Sequence, residues 1–162
     1  MIYATVGKMP LGFDRLIKAV DSFAGSIGEE IFIQTGSSGF TPVNAAYKDF
    51  LTFPEAEAMQ ARAEVIVSHA GIGTIIGALR SGTPIIIMPR REKLGEHFND
   101  HQIEIAKAVI GRPGVEVVYD AAELPAALKK LMGQKGKFKP QKKGAGIITA
   151  IENFLEKQVR KL

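Results

Sequence analysis

The sequence predicts an α/β fold, a Rossmann-like parallel sheet with helices on both faces. Short runs that are apolar throughout, such as residues 85–88, alternate along the chain with amphipathic helical patterns. Strands that are apolar on both sides are typical of a parallel sheet covered by helices on each face. The 162 residues, of which 46% are hydrophobic, are enough for one domain with a short appendage, and this composition excludes a disordered chain.

The first half of the chain predicts three strands and two helices. The apolar run at residues 2–6 is the first strand, and a helix with one apolar face follows from Phe13. Residues 31–35 form the second strand. We predict a short third strand at residues 50–53. We expect Pro54 to open the next helix, because a proline at the first helical position loses no hydrogen bond.

The second half predicts three further strands, each followed by a helix. The strands are residues 64–68, 85–88 and 115–119, and the helices are residues 74–80, 99–110 and 122–132. Ligands of such sheets bind beyond the carboxyl ends of the strands. The loops expected to hold a site are therefore those that follow strands, at residues 7–12, 36–41, 69–73 and 89–100.

Composition excludes several classes of function. The chain has no cysteine, which excludes disulfides, thiolate metal sites and cysteine nucleophiles. It has no G-x-S-x-G motif for a serine hydrolase. No apolar run approaches the ~20 residues that span a bilayer, and the N-terminus lacks the features of a signal peptide. We expect a cytoplasmic protein, at most peripheral to a membrane.

The net charge of +4 conceals two unlike parts. Residues 1–128 carry 11 lysines and arginines against 15 acidic residues, whereas residues 129–162 carry ten against two. We divide the chain into a domain at 1–132 and an appendage at 133–162, which begins with an exposed basic linker at 133–143. The appendage then predicts an amphipathic helix, which packs on protein or lies near anionic lipid headgroups. Its apolar face holds Ile147, Ile148, Ile151, Phe154, Leu155 and Leu162.

The segment from Ser68 to Thr74 joins a predicted buried strand to a helix. Glycines there let the backbone approach a ligand, and a helix N-terminus offers free amides to a phosphate or diphosphate. The spacing of Gly71, Gly73 and Gly77 differs from the dinucleotide fingerprint, and no acidic residue ends the next strand, so NAD and FAD are not expected. The alternative is a tight turn without a ligand.

Residues 90–102 form the densest polar segment of the chain. Arginines there are suited to phosphate oxygens, and carboxylates and amides are suited to sugar hydroxyls. His97 and His101 have the spacing of a metal-binding pair, but no third ligand is evident. The alternative is a solvated cap at the start of a helix. Residues 34–38 offer a second, weaker polar loop.

These segments together resemble glycosyltransferase family 28, in its C-terminal domain, and within it the single-domain PssE/EpsE/Alg13-like subfamily. The resemblance runs in order over about residues 2–125. It rests on the segments ATVG, GFDRLIKAVD, IQTGSS, EVIVSHAGIGTIIGALRSGTPIIIMPR and EHFNDHQIEIAKAV.

The resemblance implies the C-terminal half of a GT-B enzyme. In this family the half binds the UDP-sugar donor, and a separate membrane-associated PssD/Alg14-like subunit holds the acceptor. The implied reaction is inverting transfer to a lipid-diphosphate-linked sugar in exopolysaccharide or glycan biosynthesis. It needs no cofactor and no metal, because helix dipoles and cations stabilise the departing UDP. The protein would then reach the membrane through its partner, and the isolated half would be free to self-associate.

The resemblance also implies a role for individual residues. The general base is expected from the partner subunit, with His69 as the best candidate in this chain. Phe53 would flank the uracil. The diphosphate would face Gln34, Thr35, Gly36, His69, Ala70, Gly71, Gly73 and Thr74, with Arg90 as a further phosphate ligand. The sugar and its phosphate would be bound by Glu96, His97, Asn99, Asp100, His101 and Gln102.

Two departures from the family pattern bear on function. Many relatives carry a glutamate, suited to ribose hydroxyls, where this chain has Gly77, and a threonine where it has Lys8. A non-enzymatic nucleotide-sugar-binding scaffold is therefore the alternative to an enzyme. Nucleic-acid binding is not expected, because the body is acidic and the tail lacks a repeated aromatic–basic pattern.

Overall fold

A computed structural model of the chain describes residues 1–140 and residue 149. Its centre is a six-stranded, fully parallel sheet with the strand order β3-β2-β1-β4-β5-β6. This confirms the predicted Rossmann-like architecture. In chain order the elements are β1 (Ile2–Thr5), α1 (Asp14–Ala24), β2 (Ile31–Gln34), β3 (Ala46–Lys48), α2 (Phe53–Arg62), β4 (Val65–Ser68), α3 (Ile72–Ser81), β5 (Ile85–Ile87), α4 (His101–Val109), β6 (Val115–Val117) and α5 (Leu124–Leu131), with short 3₁₀ turns at Glu92–Leu94 and Ala121–Glu123.

Alternate side chains of the strands enter two separate cores. Ile2 and Ala4 of β1 pack with α1 and α5 on one face of the sheet. Tyr3, between them, packs on the opposite face with residues of α3 and α4. The period of two is that of a strand whose faces are both covered, which explains why these strands are apolar throughout.

The strand order reverses between β1 and β4, where Thr5 lies beside Ser68. The chain continues from β1 to β2 on one side of this point and from β4 to β5 on the other. In doubly wound sheets the loops diverge at such a switch point and leave a crevice at the carboxyl ends of the strands. The fold therefore places the loops after β1 and β4 on either side of a candidate ligand site.

The third strand was predicted at the wrong place. Residues 50–52 are not a strand, and Phe53 is the first residue of α2, while the third strand is Ala46–Lys48. Thr52 caps the helix, because its hydroxyl accepts the Glu55 amide and the Glu55 carboxylate accepts the Thr52 amide. This capping box is visible in the sequence as Thr52-x-x-Glu55 and competes with strand formation. Pro54 is the second residue of the helix, one position later than predicted, and lies in the first turn, where its missing amide hydrogen loses no helical bond.

Residues 133–140, which we call the strap, are the described part of the predicted exposed basic linker, and they contact the domain. Its lysines are exposed. Phe138 and Pro140 lie against Gly82, which precedes β5, so the strap passes the amino ends of the strands. Lys135 donates to the carbonyls of Ala61 and Arg62 at the end of α2. Phe138 packs against Gly114, which precedes β6. The predicted C-terminal amphipathic helix, with its apolar face from Ile147 to Leu162, lies outside the described residues, apart from residue 149.

No helix in the described part of the chain is both long enough and apolar enough to cross a membrane.

Candidate functional site

The imidazole of His69 lies between two glycines at the switch point. A Cβ atom placed on Gly7 would lie 2.7 Å from Cε1 of His69, and one placed on Gly71 would contact Nε2 of the same ring. Gly7 also has a φ of +74°, which disfavours other residues. The ring therefore occupies space that only two glycines leave open, and it joins the loop after β1 to the turn after β4.

The surroundings of His69 keep it neutral. Its amide donates to the carbonyl of Thr5 at the end of β1, and its Nδ1 lies 3.3 Å from the hydroxyl of Ser68. Burial, and secondarily the positive charge of Arg90, lower the pKa of His69 to about 4. A neutral imidazole carries one N–H donor and one acceptor nitrogen, so His69 can donate one hydrogen bond at neutral pH.

The N-terminus of α3 is open. Gly71 is its extended N-cap and provides no side chain, and the first helical hydrogen bond runs from the Ile75 amide to the Gly71 carbonyl. The preceding amides of the first turn, including those of Gly73 and Thr74, have no partner within the helix. A Cβ atom on Gly73 would meet nothing within 4 Å. These amides and the helix dipole form a site suited to an anion.

The polar residues after β2 support the neighbouring loop from within the protein. The Gln34 side chain accepts the Thr5 hydroxyl and donates to the carbonyl of Gly7. The Thr35 hydroxyl donates to Asp49 at 2.8 Å. Gly36, with a φ of +57°, lies against the backbone of Gly7. All three predicted residues adjoin the switch point, but the side chains of Gln34 and Thr35 are buried and bonded to the protein.

Two acidic residues of α1 hold the loop between β2 and β3, and neither was predicted from the sequence. The carboxylate of Asp21 is only 2% exposed. It accepts the amides of Val43, Asn44 and Ala45. Asp14 accepts the amide of Gly39 at 2.9 Å. Seven residues separate the two aspartates, which is two turns of a helix, and this spacing is the only local signal of their shared role.

Arg90 is turned into the protein. It is fully buried, and its guanidinium donates to the carbonyls of Val6, Leu11, Gly12 and Glu96 at 2.9–3.0 Å. It also lies 4.7 Å from the ring centre of Phe13, and burial lowers its pKa to about 10. Arg90 thus joins the loop after β1 to the loop after β5, and in this state its guanidinium does not face a ligand.

Glu96 is also bonded to the protein. Its carboxylate accepts two hydrogen bonds from Arg15 on α1, each at 2.9 Å, and one from the Arg91 amide. Arg15 donates further to the carbonyls of Tyr119 and Pro89. Arg15 was not predicted as a site residue, and it is 81 residues away from Glu96 along the chain. No local pattern connects two residues so far apart.

Gln102 connects the two loops beside the switch point. Its Oε1 accepts the amide of Ala70, at the start of the α3 turn, and the amide of Arg90. The side chain is buried, and its amide hydrogens have no protein partner among residues 1–140. Gln102 therefore holds the turn in place.

The rest of this loop is fixed by short local bonds. Nδ1 of His97 accepts the Asn99 amide, Oδ1 of Asn99 accepts the His101 amide, and Oδ1 of Asp100 accepts the Glu92 amide. Burial and the charge of Arg90 lower the pKa of His97. Apart from half-buried His97 and His101, these side chains are exposed. No cluster of three metal-ligating side chains occurs in residues 1–140.

Three residues stand apart from this arrangement. Phe53, expected at the uracil, begins α2 with 71% of its surface exposed and makes no ring contact with the other predicted residues. Gly77 lies on α3 beneath α2, where a Cβ atom would contact Oε1 of Gln60. Lys8 is exposed in the loop after β1.

Comparison with known proteins identifies the family to which the chain is related. The family model of the glycosyltransferase family 28 C-terminal domain matches residues 1–158. Over 97 residues the chain is 35% identical to human UDP-N-acetylglucosamine transferase subunit ALG13, a match that covers 60% of this chain and 7% of that protein. These findings confirm the resemblance drawn from the sequence.

Solved structures share the fold. The glycotransferase of kitacinnamycin superposes with a TM-score of 0.63 at 20% identity, over 97% of this chain and 42% of that one. The solution structure of ALG13 superposes with a TM-score of 0.58 at 18% identity, over 95% of this chain and 94% of that one. The chain thus spans less than half of the kitacinnamycin enzyme and less than a tenth of the human relative.

Proposed function

Because the chain belongs to the glycosyltransferase family 28 C-terminal domain family, we propose that it binds a UDP-sugar at the carboxyl edge of its sheet. Its fold is that of the C-terminal Rossmann-like half of a GT-B glycosyltransferase. In this proposal a separate subunit, membrane-associated and PssD/Alg14-like, holds a lipid-diphosphate-linked acceptor. The two chains together perform inverting transfer of the sugar in exopolysaccharide or glycan biosynthesis.

The observation that carries the proposal is the pairing of an open helix end with a neutral histidine. The uncapped amides at the start of α3 and the His69 ring meet at the switch point of the sheet. A diphosphate placed there accepts hydrogen bonds from the amides and from one imidazole nitrogen. Its charge also interacts favourably with the positive end of the α3 dipole.

These groups suit the departure of UDP. In inverting transfer an acceptor hydroxyl attacks the anomeric carbon, the bond from that carbon to the diphosphate oxygen breaks, and a base takes the hydroxyl proton. Negative charge grows on the diphosphate as the bond breaks, and fixed donors aimed at that charge lower the barrier. With a pKa of about 4, His69 is a weak base at neutral pH. This supports a donor role for His69 and a general base on the partner.

The sugar is expected beside α4. The amide hydrogens of Gln102 and the polar atoms of His97, Asn99, Asp100 and His101 follow β5 on the same edge of the sheet as the α3 turn. Sugar hydroxyls both donate and accept, so these groups suit them. In this proposal Arg90 and Glu96 act as positioning residues that hold the loop, because their charged groups are bonded within the protein.

Titration of the chain with UDP, followed by calorimetry and by NMR, tests the donor site. We expect saturable binding, with the largest shifts at the amides of Gly73 and Thr74. The His69→Ala variant is expected to bind at least tenfold more weakly, since a hydrogen bond to a charged group contributes about 1.5–3 kcal/mol. Lys129→Gln, on α5, is the control and is expected to bind normally. If the chain binds neither a uridine nucleotide nor any other nucleotide, the proposal is overturned.

Partner dependence is tested separately. The human relative is named as a subunit of a transferase, which supports the two-component form. Affinity purification from host membranes is expected to recover a second glycosyltransferase half. The mixture is expected to transfer sugar from UDP to a lipid-linked acceptor, whereas the chain alone is inactive.

A non-enzymatic scaffold is the second candidate. Gly77 favours it, because this position lacks any side chain for ribose hydroxyls. This candidate predicts UDP binding with no transfer, even with the partner and acceptor present.

A further inference from the structure

A small cavity opens on the same edge of the sheet, and the loop expected to hold the sugar forms part of its wall. Its volume is about 220 Å³, and its lining residues are Arg91, Lys93, Asp100, Ile103 and Tyr119. Arg91 follows β5 and Tyr119 follows β6, so the cavity lies at the carboxyl ends of these two strands. None of the residues of the α3 turn lines it. Only Asp100 belongs to the residues assigned above to the donor.

The cations of this cavity have no carboxylate partner within residues 1–140. Arg91 is half-buried, and one of its guanidinium nitrogens donates to the carbonyl of Tyr119 while the group lies 6.0 Å from the Tyr119 ring. Lys93 is exposed. Within residues 1–140 neither side chain has an acidic group at ion-pair distance, whereas the neighbouring Arg15 is paired with Glu96. The guanidinium of Arg91 thus has a carbonyl and an aromatic ring as neighbours but no carboxylate among the described residues.

The remaining walls restrict what an occupant can be. The single carboxylate, of Asp100, accepts the Glu92 amide through Oδ1 at 2.9 Å. Ile103 and the Tyr119 ring supply apolar surface beside the cations. The cavity is smaller than the ~300 Å³ and more of ordinary cofactor pockets, so it suits a phosphate or diphosphate group better than a whole nucleotide. Guanidinium and ammonium groups are the usual protein ligands of phosphate.

We propose that this cavity is a second phosphate-binding site, distinct from the donor site, in which Arg91 and Lys93 hold a phosphate or diphosphate group. The site itself does not depend on the proposed transferase function. The source of the phosphate does depend on it, because a lipid-linked acceptor carries a diphosphate that would lie one acceptor sugar away from the donor sugar. Free phosphate or diphosphate has the same chemistry and is the other source.

The test uses the full-length chain saturated with UDP, so that the donor site is occupied. Inorganic pyrophosphate is then titrated while the methyl signals of Ile103 and the ring signals of Tyr119 are followed by NMR. We expect saturable shifts at both residues that weaken at higher salt. Lys93→Gln, which alters only an exposed side chain, is expected to weaken this binding at least threefold. Arg91→Gln with Lys93→Gln is expected to weaken it at least tenfold, with UDP affinity unchanged.

Arg112→Gln and Lys129→Gln remove the same charges elsewhere and are expected to leave pyrophosphate binding intact. A titration with farnesyl diphosphate distinguishes the sources. At least tenfold tighter binding than pyrophosphate supports a lipid-linked ligand, and equal binding supports free diphosphate. The proposal is overturned if pyrophosphate shifts Ile103 only in the absence of UDP, or if Lys93→Gln has no effect. Loss of UDP binding in the unsubstituted chain would contradict the proposed function but leave the cavity testable with pyrophosphate alone.

Discussion

Arg15 and Glu96 form a two-pronged ion pair that joins helix α1 to the loop after β5. Nε and one terminal nitrogen of Arg15 each lie 2.9 Å from a carboxylate oxygen of Glu96. The side chain of Glu96 is 8% exposed and that of Arg15 is 20% exposed. The pair is therefore largely screened from water, and the loop that carries His97 and Asn99 depends on it.

Breaking this pair is expected to be costly. Glu96→Gln leaves the Arg15 guanidinium without its counter-charge, and removal of one partner of a buried pair costs about 3–5 kcal/mol. Urea denaturation measures the loss. Lys48→Gln is the comparison, because Lys48 and Glu55 form an exposed pair and its loss is expected to cost about 1 kcal/mol or less. If both variants lose the same free energy of unfolding, the Arg15–Glu96 pair contributes no more than an exposed ion pair.

The neutral state of His69 predicts a stability that depends on pH. The pKa of His69 is lowered from 6.5 to about 4 in the folded protein. Below pH 6.5 the unfolded chain takes up a proton that the folded chain does not, so the free energy of unfolding falls between pH 6.5 and 4. His69 lowers the free energy of unfolding by on the order of 3 kcal/mol at pH 4, relative to its value above pH 7, where the effect vanishes.

Urea denaturation at pH 7 and pH 4.5 measures the fall in the free energy of unfolding between these pH values. His69→Gln is expected to make that fall smaller. His97, whose pKa is also lowered, contributes with the same sign, so His97→Gln separates the two. An NMR titration that placed the His69 pKa near 6.5 would contradict the prediction.

Alanine substitutions at the two glycines of the α3 turn, Gly71 and Gly73, are expected to have opposite effects on stability. A methyl group on Gly71 collides with the His69 ring, whereas one on Gly73 meets nothing within 4 Å. Gly71→Ala is expected to cost about 1–3 kcal/mol by overpacking and to shift the ring signals of His69. Gly73→Ala is expected to be neutral or stabilising by up to about 1 kcal/mol, because it lies in a helix. Unfolding and NMR spectra of both variants measure the difference.

Gly77 offers a test of the departure from the family pattern. Its backbone is helical, and the atom that a new Cβ would contact is the far end of the Gln60 side chain, which is free to rotate. Gly77→Ala is expected to stabilise the protein by about 0.5–1 kcal/mol through helix propensity. Gly77→Glu is expected to raise UDP affinity relative to Gly77→Ala, measured by calorimetry, if relatives use a glutamate here for ribose. If the two variants bind UDP with equal affinity, the side chain at position 77 does not contact the nucleotide.

The sheet was predictable because its signals are local. Each buried strand is a short apolar run, and each following helix shows its own periodicity, so alternation alone predicts a parallel sheet. The turn at residues 69–74 was predictable for the same reason, as glycines lie between a strand and a helix. The prediction of the third strand was wrong because two local signals competed there. An aromatic run at residues 50–53 favours a strand, but Thr52 and Glu55 form a cap that starts the helix earlier.

The orientation of Arg90 was not predictable, for a physical reason. An arginine after a strand can face a ligand or turn inward, and the choice depends on what lies opposite. Here the opposing groups are the backbone carbonyls of Val6, Leu11 and Gly12. Every residue type supplies a carbonyl, so no motif marks them. Arg15 escaped notice similarly, because it meets Glu96 only after the chain has folded.

The strap has a consequence for the order in which the domain is completed during synthesis. Residues 133–140 leave the ribosome after all six strands, yet Phe138 covers the turn before β6 and Lys135 binds the last carbonyls of α2. Until they emerge, the end of α2 and the Gly114 turn remain uncovered in the nascent chain. A fragment that stops at residue 132 would lack both of these contacts.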